Sequence, residues 1–144
     1  MSVYGDVVMD RLMHGIEMPT RSELIDGRVM ALRLRAEVGR ELAALTQVGG
    51  ACGLATVMVG LDYAASAYER RLRALARRLG ISYRHYWLDD GASTDEVVAV
   101  VEQLNADPGV HGILLLRPFP ADIPEPVLFS VLDPHKDIEA VHPE

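Results

Sequence analysis

"LATVMVGLDYAASAYERRLRALARRLGISYRHYWL", residues 54–88, decides how this chain folds. Its opening run is apolar and β-branched without interruption as far as Gly60, the pattern of a strand buried on both faces in a parallel sheet. "DYAASAYERRLRALARRLG" (62–80) then reads as a helix with Tyr68 on the face after its entry loop and Leu72 one turn further on. "ISYRHYWL" (81–88) supplies a second strand. Strand, helix and strand in this order make a βαβ unit, whose crossover is right-handed.

The same alternation continues in both directions. Downstream, "STDEVVAVVEQLNAD" (93–107) predicts a helix, because Ser93 stands three residues before Glu96 at the spacing of a capping box. "VHGILLL" (110–116) predicts a third strand, and after "RPFP" come a short helical piece, "PEPVLFSVL", and the loop "DPHKDIEAVHPE". Upstream, "QVGGACG" breaks a helix that Asp26 caps and that runs to about Leu45, with apolar positions at 29, 30, 32, 34, 38, 42 and 45. Leu24 and Ile25 before it predict a short extended piece. Residues 1–19 form an amphipathic lead-in ending at Pro19, with Val3, Val7, Val8, Leu12 and Met13 near helical spacing. The expected architecture is a three-layer α/β sandwich on a mainly parallel sheet, with 1–22 as an N-terminal extension and 23–144 as one domain.

Composition narrows the function classes. With 21 acids against 14 bases the net charge is −7, which argues against a general phosphate-backbone binder and hence against nucleic acid. The arginines of "YERRLRALARRLG" read as a solvated helix face. A single cysteine, Cys52, excludes an internal disulfide framework and a cysteine-based zinc site, and no metal site is expected. Acids and polar residues interrupt the N-terminal apolar positions, and no apolar run of about 18 residues occurs. The expectation is therefore a cytoplasmic protein with no membrane partner.

In open α/β sheets ligands bind beyond the carboxyl ends of the strands. Three segments converge there: "GLDYAASAY", "LRPFP" and "DPHKDIEAVHP". Together with "ELIDGRVMALRLRAEV" and "LNADPGVHGILLLRPFP", they resemble the catalytic domain of the bifunctional methylenetetrahydrofolate dehydrogenase/cyclohydrolases over about residues 23–144. The segments are specific in combination and weak singly.

The resemblance implies a role for each matching position. The family's first segment runs valine-glycine, proline-alanine-serine, a tyrosine that lies along the folate, and a lysine four residues later. The tyrosine falls on Tyr68 and is kept, while the proline falls on Tyr63, the serine on Ala65 and the catalytic lysine on Leu72. The glutamine of "G-I-L-V-Q-L-P-L-P", which assists the lysine, falls on Leu116, whereas Gly112, Ile113, Leu114, Pro118 and Pro120 match. In the third segment Lys136 and Asp137 match, the pterin-binding aspartate becomes Glu139 and the following glycine becomes Ala140.

These departures have chemical consequences. A lysine poised by desolvation exchanges protons near neutral pH and a glutamine hydrogen-bonds the reacting groups, whereas two leucines do neither and pack together without an unsatisfied partner. Candidate folate-binding positions are thus Tyr68, Leu72, Leu116, Pro118, Pro120 and Glu139. Glu139 and His142 are the candidate acid/base groups, and Arg71 and Arg117 could bind a carboxylate. The resemblance implies a tetrahydrofolate derivative, 5,10-methylenetetrahydrofolate, as a methylene donor to a second small molecule, with the parental chemistry lost.

No glycine-rich phosphate loop follows a strand, so no NADP site is expected in this chain. The family's closing helix is also missing from the pattern, which predicts a homodimer or a partner protein. The alternative reading is a non-catalytic regulatory or scaffold homologue that partners another enzyme.

Overall fold

The computed structural model describes residues 26–143. Helix α1 spans Gly27–Gln47, followed by β1 (Gly53–Val59), α2 (Tyr63–Leu79), β2 (Ser82–Leu88), α3 (Thr94–Ala106), β3 (Gly112–Leu116) and α4 (Glu125–Val131). The alternation read from the sequence is present, with boundaries within two residues of those expected. The lead-in at 1–19 and the extended piece at Leu24 and Ile25 lie outside the described residues. By its contacts the chain divides into 1–34 and 35–144, a boundary that falls inside α1.

The sheet has the order β2-β1-β3 and is parallel throughout. The central strand β1 is therefore flanked on both edges, which is why it is almost continuously apolar. Thr56 stands opposite His85 on one side and Leu114 on the other. Alternate residues of β1 serve opposite faces. Ala55, Val57 and Val59 join Ile113 and Leu115 in the main core with Val97, Val101 and Leu104 of α3 and Leu128 of α4. Met58 faces the other way, in a smaller cluster with Leu114, Leu116 and Ala65 of α2. Helices thus cover both faces of the sheet, and the three-layer α/β sandwich is the observed architecture of residues 35–143.

Local chemistry sets the element ends. Asp26 accepts the Arg28 N–H at 2.9 Å and caps α1 as its position predicts. Ser93 and Glu96 form the reciprocal capping box of α3. Helix α2 begins at Asp62, whose carboxylate accepts the Ala65 N–H at 2.7 Å, and ends at Gly80, which takes the left-handed conformation at φ 73°. Gly60 closes β1 at φ 74°, and a Cβ there would lie 1.9 Å from Asp90 Oδ1. A side chain would be strained at that φ, so glycine favours the turn that delivers the chain from β1 into α2.

Helix α1 differs from the others in having no buried residue. Val29, Met30, Leu32 and Leu34, four of its apolar positions, are 41–64% exposed.

Candidate functional site

The first turn of α2, the carboxyl end of β3 and the loop after α4 surround a cavity of about 360 Å³. Ala64, Ala65 and Tyr68 line it from the helix, Leu115, Leu116 and Arg117 from the strand, and Glu139 from the loop. Of the positions singled out in the sequence, Tyr68, Leu116 and Glu139 therefore meet around one space. Tyr68 is 48% exposed, so its ring is available as an apolar plane. Leu116 is 3% exposed and forms the floor. Glu139 is exposed on the rim.

Leu72 packs against the cluster of Met58, Ala65, Leu114 and Leu116. The two leucines that replace the lysine and glutamine of the pattern thus share one apolar cluster. Nothing in that cluster exchanges a proton, and no buried side-chain nitrogen or oxygen among the described residues lacks a partner. Pro118 and Pro120 border a neighbouring cavity of about 310 Å³, together with Asp62, Asp90 and Phe119. Arg117 lines the first cavity with its guanidinium 6.0 Å from the Phe129 ring. Arg71 is exposed on α2 and is not among the residues lining either cavity, and neither is His142, which is half-buried.

How the Glu139 loop is held was not legible from residue types alone. The Lys136 ammonium donates to the carbonyls of Leu104, Asn105 and Asp107 at 3.0, 2.6 and 2.7 Å. These are carbonyls at the end of α3, where a cation also meets the negative end of the helix dipole. The Lys136 carbonyl accepts the Ile113 N–H at 2.7 Å, tying the loop to β3.

Asp137 completes the anchor by accepting the N–H groups of Glu139, Val141 and His142 at 3.0, 2.7 and 2.8 Å. Burial pushes the Asp137 carboxyl upward, but these N–H donors prevail and hold it below the usual aspartate value. The lysine and aspartate of the motif therefore position Glu139 and do not line the cavity. Ala140, where the pattern has glycine, sits at φ 55° in the left-handed region. That is a conformation glycine adopts without steric cost and a residue with a Cβ adopts rarely.

Comparison with known proteins gives a consistent result. Residues 25–139 match the model of the tetrahydrofolate dehydrogenase/cyclohydrolase catalytic domain. The bifunctional protein FolD 3 of Rubrobacter xylanophilus is 54% identical over 122 residues, covering 85% of this chain and 38% of that protein. The bifunctional protein FolD of Heliobacterium modesticaldum is 36% identical over 122 residues, covering 85% and 42%. The bifunctional methylenetetrahydrofolate dehydrogenase/cyclohydrolase structure from Campylobacter jejuni superposes with a TM-score of 0.80 at 27% identity, over 82% of this chain and 42% of that one. A 5,10-methylenetetrahydrofolate dehydrogenase from the silkworm Bombyx mori also gives 0.80 at 27%, over 85% and 42%. The chain spans about two fifths of the length of the curated relatives it matches.

Proposed function

The chain belongs to the tetrahydrofolate dehydrogenase/cyclohydrolase catalytic-domain family, and on that premise we propose that its cavity binds a reduced folate without carrying out the dehydrogenase or cyclohydrolase reaction. The ligand is 5,10-methylenetetrahydrofolate, used as a methylene donor to a second small molecule. The observation that carries this reading is the shared apolar cluster of Leu72 and Leu116 beside an accessible Tyr68.

Each part of the cavity has a task in this reading. Tyr68 stacks on the flat ring system, which needs area and no proton transfer. Glu139 offers two acceptor oxygens to ring and amino N–H donors, as the family aspartate does with one methylene less. Leu116 and Leu72 keep water from a reactive iminium, so the methylene carbon survives until a nucleophile arrives. Transfer at that oxidation level needs no hydride acceptor, so it needs no nicotinamide site. Arg117 stands at the same rim and suits a carboxylate on either ligand.

Titration calorimetry with 5,10-methylenetetrahydrofolate tests the proposal. Saturable heat that folic acid competes away, and that Tyr68→Ala weakens at least tenfold, is the expected result. No heat and no competition would sink it and leave the scaffold reading. The proposal includes self-association, supported by the exposed apolar residues of α1. Light scattering at micromolar concentration should give a dimer, and a monomer would count against that part.

A further inference from the structure

A second, larger cavity, of about 680 Å³, lies by the carboxyl end of α2 and the start of β2, lined by Arg73, Arg77, Ser82, Tyr83 and His85. Behind it runs a hydrogen-bonded chain that the folate reading does not use. His85 Nδ1 lies 2.8 Å from Thr56 Oγ1, and Thr56 Oγ1 lies 2.9 Å from the Tyr83 hydroxyl. The Tyr83 hydroxyl donates to Glu69 Oε1 at 3.1 Å, and Glu69 is ion-paired with Arg73 at 2.7 Å. Thr56 is 0% exposed and Glu69 5%, so water does not compete for these bonds.

The chain has one consistent direction. Glu69, facing Arg73, is a carboxylate and can only accept. Burial pushes the Tyr83 phenol up to about 12, so it keeps its proton and donates a hydrogen bond to Glu69. Tyr83 must then accept from the Thr56 hydroxyl, and Thr56 must accept from His85 Nδ1–H. Burial also pulls His85 below the usual histidine value and favours the neutral ring. The proton is therefore held on Nδ1, and Nε2 carries a bare lone pair.

The cavity thus combines an acceptor on His85 with donors on Arg73, Arg77 and Ser82. Arg77 has no side-chain hydrogen bond or ion pair among the described residues. At the end of α2, Ile81 N–H and Gly80 N–H occupy the carbonyls of Ala76 and Arg77, and the full charge on Arg77 outweighs the partial negative charge of about one half that the helix end still presents to an anion. A fully deprotonated carboxylate would meet the lone pair of Nε2 with its own. A monoprotonated oxyanion satisfies both kinds of group.

We propose that this cavity is a second ligand site that takes a protonated oxyanion, hydrogen phosphate or the monoanion of a phosphomonoester, between the Arg73 and Arg77 guanidiniums and His85. The oxyanion's O–H meets Nε2 of the imidazole, and its remaining oxygens accept from the arginines and Ser82.

The test is a titration of the whole chain with inorganic phosphate at neutral pH, read on the histidine ring nitrogens by nuclear magnetic resonance. Parallel arms use sulfate, which has no O–H at that pH, and glycerol 3-phosphate, the latter compared with phosphate at about pH 5.5, below its second pKa near 6, so that both carry an O–H. Before ligand is added, His85 should be the Nδ1–H tautomer. Phosphate should shift its Nε2 signal saturably, sulfate should bind at least tenfold more weakly, and Arg77→Gln should weaken phosphate at least tenfold with the thermal midpoint unchanged. Tighter binding of glycerol 3-phosphate would assign the site to an esterified phosphate, and weaker binding to the free ion. An Nε2–H tautomer, no saturable shift, equal binding of sulfate, or an Arg77→Gln variant that binds as before would each overturn the proposal.

Discussion

Leu116→Gln puts back the polar residue that the family pattern has on β3, and the structure says what it should do to the fold. Leu116 is 3% exposed among Met58, Ala65, Leu114 and Leu72. Fully burying a leucine side chain contributes about 1.5–3 kcal/mol, most of which the substitution forfeits. Glutamine has nearly the same volume, so little cavity is left. Its amide, however, enters a cluster with no polar partner, at a cost of about 1–3 kcal/mol when unsatisfied. Because Leu116 also lines the cavity, the amide can reach solvent and recover part of that cost. The expected loss is about 2–4 kcal/mol, measured by urea unfolding followed by circular dichroism. Leu116→Met, which keeps volume and polarity, should cost less than about 1.5 kcal/mol. A glutamine variant within about 0.5 kcal/mol of the parent would refute the reasoning, because it would mean that the site still holds a polar partner for the amide.

Ala140→Gly should stabilise the chain by about 0.5–1 kcal/mol in the same unfolding assay. A residue with a Cβ at φ 55° costs about 1–2 kcal/mol, and glycine's larger unfolded-state entropy returns only part of that. Asp137 has a carboxyl held below its ordinary value, so its stabilising contribution is complete above the unfolded value near 4 and is lost as pH falls through the lower folded value. Asp137→Asn should therefore reduce stability at neutral pH and flatten the acid limb below about pH 4, as read from the unfolding midpoint against pH. Because Asp137 holds the loop that carries Glu139, the same variant should weaken folate binding severalfold. Tyr68→Ala, at a position 48% exposed, should change stability by less than about 1 kcal/mol, so its effect on folate titration reads the site and not the fold.

The sequence exposed the alternation of strands and helices because each signal was strong and local. The β-branched run of β1, the Ser93–Glu96 capping box and the glycines at 60 and 80 each have one structural meaning. The topology of an open α/β sheet brought the three segments together, but only the family pattern picked out Tyr68, Leu116 and Glu139 within them. The anchoring roles of Lys136 and Asp137 were hidden for a different reason. Their partners are backbone groups, which carry no sequence signature. The Thr56–Tyr83–His85 chain was equally hidden, because it depends on the register of β1 against β2. Helix α1 shows the limit of periodicity, which located the helix but not a buried face.

The central claim is that leucine at 72 and 116 has replaced proton chemistry while leaving a folate site. Its most direct test is a single-turnover experiment with the chain in excess over methenyltetrahydrofolate, following the decay of the methenyl absorbance. The prediction is a shifted spectrum on mixing, showing the ligand bound, followed by hydrolysis at the rate found in buffer alone. Decay accelerated by the chain in proportion to the fraction bound would contradict it.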